Sequence, residues 1–271
     1  MSNTVLITGS SGNLGRATAK FFQRNGWNVV ATMRSPDQEQ ELSALDNVLV
    51  TRLDVQDTAS ISAAVEAGIA RFGGIDVLVN NAGYGEYGLL EATPEDKIRS
   101  QFEVNVIGLL ATTKAVIPHF RARGDGVIIN ISSIGGKVTF PLGTLYHGSK
   151  FAVEGLSEAL SYEMAPIGVK VKLVEPGMIK AAPGGGSMSV NDDQSLTEYR
   201  EFVGKIFAAL GPLMDTGSAP ELVSEVIFRA ATDGTDTLRY IAGPDAEELL
   251  AARKAADDVT FLGGIKGQFG L

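Results

Sequence analysis

Short apolar runs rich in β-branched residues recur along this chain, with amphipathic stretches between them. The runs are Val5–Ile7, Val29–Ala31, Val48–Leu53, Val77–Val79, Val127–Ile131 and Val169–Val174. A strand that is apolar at every position, rather than at alternate ones, is covered on both faces, as inside a parallel sheet flanked by helices. Between the runs, Ile61, Val65, Ile69 and Phe72 recur at helical spacing, as do Val153, Leu156, Leu160 and Met164. Each set predicts a helix with one buried stripe. Such alternation predicts an α/β fold, a doubly wound parallel sheet with helices on both faces. A further strand at Leu238–Ala242 brings the expected sheet to about seven strands. Its neighbours are a helix from about Pro220 to Ala231 and one starting near Pro244.

One stretch departs from the alternation. Pro183 and the glycines Gly184, Gly185 and Gly186 interrupt regular structure, and the chain to about Gly217 reads as an excursion carrying one helix, Leu196–Leu210. It follows a strand whose carboxyl end should border a site, so residues 181–217 are expected to form a substrate lid hinged at the glycines. Phe202, Val203, Ile206, Phe207 and Leu210 give that helix an apolar face. With no substrate to cover, the segment is expected to be mobile. The 271 residues as a whole, 1–271, are expected to form a single dinucleotide-binding and catalytic domain.

Composition removes several function classes. The net charge of −9 argues against nucleic acid or an anionic membrane as principal partner. No apolar run is long enough to span a bilayer, and the first strand begins too near Met1 for a signal peptide, so a cytoplasmic location is expected. The absence of cysteine excludes disulfides and thiolate catalysis. The two histidines, His119 and His147, have no acidic partners at ligand spacing, so no metal is expected. His147 follows Tyr146 but points elsewhere on a helix, toward packing or solvent, and His119 reads as a helix-end or surface residue.

Two motifs carry chemistry. Thr8-Gly9-Ser10-Ser11-Gly12-Asn13-Leu14-Gly15 follows the first strand, where glycines allow a tight turn and a close backbone approach to a pyrophosphate at a helix N-terminus. Tyr146 and Lys150 stand four residues apart, on one face of a helix, with Ser133 upstream just past a strand. A phenol beside an ammonium is a proton donor whose phenolate the cation favours. Together the motifs point to proton transfer beside a bound dinucleotide.

The glycine turn, Asp54-Val55, Asn80-Asn81-Ala82-Gly83, Asn105, Ser133, Tyr146/Lys150 and Pro176-Gly177 occur in this order. Over nearly its whole length the chain resembles the single-domain branch of the short-chain dehydrogenase/reductase family. The resemblance implies a Rossmann-type fold, and an oxidoreductase that interconverts a carbonyl and an alcohol by hydride transfer from a nicotinamide. By that resemblance Tyr146 is the general acid or base, Ser133 holds the substrate oxygen beside it, and Lys150 lowers the Tyr146 pKa and positions the ribose. Asn105 anchors Lys150 through a water. Gly9, Ser11, Gly12, Asn13, Leu14 and Gly15 are the implied pyrophosphate contacts, and Asp54 and Val55 the adenine contacts. Asn81, Ala82 and Gly83 pass along the ribose and nicotinamide, as do Tyr146 and Lys150, while Pro176, Gly177 and Ile179 hold the carboxamide.

Cofactor choice is read after the second strand. Met33 cannot accept a hydrogen bond from ribose hydroxyls, whereas Arg34 can pair with the extra phosphate of NADP, so NADP is expected rather than NAD. Two positions depart from the family. Asn13 stands where the single-domain branch has its second glycine, and is expected to hold the same turn through its tolerance of positive φ. Ala181 replaces a usual threonine. Phe140-Pro141-Leu142 on one side, and Tyr84, Tyr87, Leu89 and Leu90 on the other, are expected to wall an apolar substrate site. The middle of the chain resembles relatives acting on steroids, retinoids and other hydrophobic carbonyls. The expected partner is therefore a small-molecule carbonyl or alcohol, and the family implies a homodimer or homotetramer. Two other classes stay open: a catalytically weak NAD(P)-binding sensor, and a sugar-nucleotide epimerase or dehydratase, which the Gly-x-x-Gly-x-x-Gly spacing suggests.

Overall fold

All seven expected strands form, and every one lies parallel to its neighbours in the computed structural model, which describes residues 2–180 and 187–271 and all of their side chains except those of residues 213–215. In chain order the strands among the described residues are β1 (Thr4–Ile7), β2 (Asn28–Met33), β3 (Val48–Arg52), β4 (Val77–Asn80), β5 (Gly85–Gly88), β6 (Gly126–Ile131), β7 (Val169–Pro176), β8 (Met188–Asn191) and β9 (Arg239–Ala242). The main sheet has the order β3-β2-β1-β4-β6-β7-β9. Strand order reverses beside β1, whose neighbours are β2 and β4, and the crevice at such a switch point is where doubly wound sheets bind ligands.

Helices cover both faces. They are α1 (Asn13–Arg24), α2 (Thr58–Phe72), α3 (Glu95–Phe102), α4 (Gly108–Arg123), α5 (Thr144–Met164), α6 (Arg200–Asp215), α7 (Pro220–Thr232), α8 (Pro244–Ala255) and α9 (Asp258–Gln268). The period of two along β1 separates the layers. Val5 and Ile7 join Ala19 and Phe22 of α1 and Val223 and Ile227 of α7, while Leu6 joins Ile61 and Val65 of α2 and Val116 and Phe120 of α4. Burying each such side chain contributes about 1.5–3 kcal/mol, so both faces are held strongly. Asp57 caps α2 by accepting from the Ala59 and Ser60 amides, and Gly73, at φ +86°, ends it in the left-handed conformation.

Buried polar side chains fix how the helices sit on the sheet. Asn80 of β4 donates to Thr113 of α4 (2.8 Å) and to Asn130 of β6 (2.9 Å), and Asn130 donates to Ser157 of α5 (2.8 Å). Between α3 and α4 the chain makes one π turn, Glu103–Ile107, and Asn105 lies inside it.

The excursion differs from expectation. The hinge glycines Gly184–Gly186 lie outside the described residues, as does Ala181. Beyond them β8 pairs in parallel with β5, a second sheet that the sequence pattern does not announce because the alternation in Met188–Asn191 lasts only four residues. The helix expected at Leu196–Leu210 begins as a 3-10 turn, Thr197–Tyr199, and continues as α6 to Asp215. Its apolar face is already covered: Phe202, Ile206 and Leu210 pack with Ile134 and Val138 and with Phe261, Ile265 and Phe269 of the C-terminal segment. That segment supplies α9, a helix beyond the one expected from Pro244.

Candidate active site

The expected site residues converge at the carboxyl end of the sheet. After β1, Gly9 takes φ +71°, and a Cβ there would lie 2.9 Å from Cα of Ala82. A Cβ on Gly15 would strike the Gly9 carbonyl and sit 2.6 Å from the Asn81 amide nitrogen. Gly9 and Gly15 therefore let the turn, α1 and the Asn81-Ala82-Gly83 turn close on one another. The Thr8 hydroxyl ties the two turns by accepting from the Asn81 amide (3.0 Å) and the Ala82 amide (2.9 Å). The Asn81 side chain returns a hydrogen bond to the Thr8 carbonyl (2.8 Å).

Gly12 precedes α1, which has no side-chain cap and no acidic residue in its first turn. Its positive end is thus left for an external anion. Asn13 does not take the positive φ expected of it. It is the first residue of α1, and its side chain donates to the Lys180 carbonyl (2.7 Å), joining the glycine turn to the segment after β7. The reason is local: Gly9 alone supplies the left-handed step, so nothing after it needs one.

Met33, at the end of β2, is a core residue only 3% exposed, whereas Arg34 beside it is exposed and has no hydrogen-bond or ion-pair partner among the described residues. Arg16 of α1 is committed elsewhere, to Glu39 (2.5 Å) and Glu41 (3.0 Å). Asp54 accepts from the Gln56 amide (3.1 Å), and Val55 packs so closely on α4 that a Cβ on Gly108 would come within 2.6 Å of it.

Ser133, Tyr146 and Lys150 are brought together by β6 and α5. Ser133 follows β6, caps the short turn Ile134–Gly136 by accepting from the Gly135 amide (3.0 Å), and its hydroxyl lowers the pKa of the neighbouring Tyr146 phenol. Burial pushes the Tyr146 pKa up, and the Ser133 hydroxyl pulls part of it back. Lys150 was expected to do that pulling. Its ammonium instead lies 5.9 Å from the Tyr146 ring centre and donates to the Ile131 carbonyl (2.8 Å). Burial lowers the Lys150 pKa to about 8, against a raising effect from the carboxylate of Glu154. Asn105 does not touch Lys150 directly. Its amide donates to the Tyr84 carbonyl (2.8 Å) and the Ser149 hydroxyl (3.0 Å) and its oxygen accepts from the Tyr84 amide (3.0 Å), so the π turn anchors both the Asn81-Ala82-Gly83 turn and α5.

Past β7, the Gly177 amide donates to Ala242 (3.1 Å), and Ile179 pairs with Ser218. Asp245, which no sequence motif marks, accepts from the Met178 amide (2.7 Å) and fills the space where a Gly177 side chain would stand. Among the expected wall residues, Tyr87 lies against Tyr146 with ring centres 5.4 Å apart. Leu142 is buried at φ +65° and accepts from the Gly88 amide (2.8 Å), but Leu90 is 54% exposed and Phe140 packs on Phe269. His147 is buried packing, as expected, with a definite task. It accepts from the Phe140 amide (2.9 Å) and bonds the Gly135 carbonyl (3.0 Å), so it staples the Ser133–Tyr146 connection to α5.

Comparison with known proteins identifies the family. The short chain dehydrogenase family model matches residues 3–191. An uncharacterized oxidoreductase of Schizosaccharomyces pombe is 47% identical over 243 residues, spanning 88% of this chain and 100% of that one. Human 17-beta-hydroxysteroid dehydrogenase type 1 is 33% identical over 264 residues, 92% of this chain and 80% of its own. The crystal structure of a short-chain dehydrogenase from Streptomyces avermitilis has a TM-score of 0.83 at 32% identity, covering 94% of this chain and 92% of that one. No helix among the described residues is long and apolar enough to cross a membrane. The chain therefore belongs to the short-chain dehydrogenase/reductase family, as an oxidoreductase of alcohol and carbonyl groups on small molecules.

Proposed function

We propose that this enzyme reduces the carbonyl of a small hydrophobic substrate at the expense of NADPH, with Tyr146 as the proton donor. The observation that carries this reading is the convergence of Ser133, just past β6, with Tyr146 on α5 and the Lys150 ammonium 5.9 Å from the Tyr146 ring centre. The two hydroxyls form a clamp for one carbonyl oxygen. Burial raises the Tyr146 pKa, so the phenol carries its proton at neutral pH and can donate it in the reducing direction. Ser133 orients the oxygen, and Lys150 supplies the positive charge that stabilises the phenolate once the proton has gone.

The residues present fit a dinucleotide. The uncapped α1 end receives the pyrophosphate, and the cradle that excludes a Cβ at Gly9 and Gly15 brings backbone to it. Asp54 and Val55 border the adenine, the Asn81-Ala82-Gly83 turn and Lys150 border the nicotinamide ribose, and Pro176, Gly177 and Ile179 hold its carboxamide. The free guanidinium of Arg34 favours the extra phosphate of NADP. When bound, the nicotinamide supplies the hydride. Tyr87 against Tyr146 and the buried Leu142 make the substrate side apolar. A hydrophobic ketone or aldehyde fits that lining, and the likeness to a hydroxysteroid dehydrogenase supports the same class. The test is to follow reduced-cofactor absorbance with medium-chain and steroidal ketones, using NADPH and NADH in parallel. Turnover of apolar ketones with NADPH, at least about tenfold more efficient than with NADH, is expected from one charge-assisted contact. A preference for NADH would contradict the assignment of Arg34.

A further inference from the structure

Tyr87 of β5 is held beside Tyr146 by anchors on either side of it in the chain. Before it, Asn105 holds the backbone of Tyr84, and the wholly buried Gln101 of α3 accepts from the Glu86 amide (2.7 Å) and donates to the Tyr84 carbonyl (2.9 Å). After it, the Gly88 amide donates to the Leu142 carbonyl (2.8 Å). Strand alternation sends the Glu86 carboxylate to Ser189 and Asn191 of β8, and the Tyr87 ring to the opposite face, where it meets Tyr146.

The hydroxyl of that ring is left unspent. Tyr87 is partly buried, and its hydroxyl has no hydrogen-bond partner among the described residues. A Cβ on Gly85 would lie 2.6 Å from Tyr87 Cε2 and 3.2 Å from Tyr146 Cδ2, and one on Gly143 would lie 3.3 Å from Tyr87 Cε1. The two Cε atoms flank the carbon that bears the hydroxyl, so glycines stand beside both edges of the ring near its polar end and hold it without supplying a partner. A phenol that serves the fold is treated differently: the Tyr240 hydroxyl accepts from Lys172 (2.9 Å), donates to Asp233 (2.6 Å) and meets Thr235 (3.1 Å). Burial pushes the Tyr87 pKa well up and the neighbouring Tyr146 adds to it, so Tyr87 keeps its proton while Tyr146 exchanges one.

We propose that Tyr87 determines specificity, its phenol donating a hydrogen bond to a second oxygen of the substrate, a few bonds away from the carbonyl that Ser133 and Tyr146 receive. The inference rests on the reading of Ser133 and Tyr146 as the carbonyl clamp, and it narrows the substrate class to hydrophobic carbonyl compounds that carry another acceptor, such as keto esters. Ring centres 5.4 Å apart put the two phenols within the span of one such molecule. Because the Tyr87 donor is fixed in place and unpaired, engaging it breaks no protein contact and orders little that is not already ordered. A substrate with a single oxygen leaves that phenol against hydrocarbon, which is unfavourable.

The test compares ethyl butyrylacetate with propyl pentyl ketone, which share chain length and the position of the ketone and differ in the ester group. Affinities are read by calorimetric titration of the protein saturated with NADP or NAD, oxidised forms that reduce neither compound, and kcat/KM is read separately with the reduced cofactor. In Tyr87→Phe, which keeps the ring against Tyr146, the ratio of affinities, keto ester over ketone, should fall about fivefold from its wild-type value, the weight of one neutral hydrogen bond. The same fall is expected in the ratio of kcat/KM values. A purely structural role for Tyr87 would affect both compounds alike and cancel in the ratio. A ratio that moves by less than about twofold, or a wild-type protein that does not bind the keto ester, would overturn the proposal. A ratio that falls in binding while neither compound is reduced would uphold Tyr87 as the recognition residue and contradict the catalytic reading of Tyr146 instead.

Discussion

Lys150 is the residue on which the chemistry turns, and its charge is held in balance. Burial disfavours the ammonium and brings its pKa to about 8, while Glu154, one turn further along α5, favours it. Removing that carboxylate leaves only the disfavouring effect. In Glu154→Gln the Lys150 pKa should therefore fall further, and the basic limb of the activity–pH profile should move to lower pH. Glu154→Asp should restore part of it, and a basic limb that stays in place would show that the two groups are uncoupled. Arg34 yields a second expectation. Because Met33 is core, an acidic substitution there would bury a charge and confound the test, so the change belongs at Arg34 alone. Arg34→Gln should weaken NADP binding at least about tenfold and leave NAD binding nearly unchanged, as measured by fluorescence titration. The sequence made the chemical identity of these residues legible, because Tyr146, Lys150 and Ser133 stand at informative spacing. It did not show that Lys150 spends a hydrogen bond on Ile131, or that Asn13 reaches Lys180, since both bonds depend on where distant backbone lies.

At the scale of elements, the strands of the main sheet were readable because burial on both faces demands unbroken apolar runs. β5 and β8 were not, because each is four residues long and they pair with each other rather than with the core sheet. Glu86 makes that pairing specific: its buried carboxylate accepts from Ser189 (2.7 Å) and Asn191 (2.8 Å), contacts separated by more than a hundred positions in sequence. The far edge of the main sheet is fixed by a different device. Lys172 of β7, almost wholly buried, meets Asp233 (2.6 Å) and Tyr240 of β9 (2.9 Å), and these partners hold the Asp233 carboxyl well below the usual carboxylate range. Asp233→Asn leaves the Lys172 charge buried without its counter-ion and should cost about 3 kcal/mol in a denaturant titration at neutral pH. An aspartate with a depressed folded pKa contributes stability that is complete above its unfolded value and is lost as the pH falls through the folded one. The gap between wild type and variant should accordingly narrow below about pH 4. A gap that is constant across that range would locate the stabilisation elsewhere.

For the whole molecule, the order of motifs along the chain becomes a circle of contacts in space. The glycine turn, the Asn81-Ala82-Gly83 turn, Ser133, the α5 pair and the Pro176-Gly177 turn are joined by Thr8, Asn105, Asn13 and Asp245. The first set was legible because function restricts residue type at each place. The second set was mostly not, since a lone threonine, asparagine or aspartate has many uses and its partner is chosen by the fold. The C-terminal helices illustrate the same limit: α9 is needed to cover α6, but nothing local in Asp258–Gln268 says so. The central claim, that the Tyr146 hydroxyl delivers the proton, has a direct test. Tyr146→Phe keeps the ring against Tyr87 and removes only the hydroxyl. With an apolar ketone and NADPH, turnover should fall by about a thousandfold, within the range for loss of a general acid, while NADPH binding stays within about twofold of wild type. Turnover in that variant close to the wild-type rate would contradict the account.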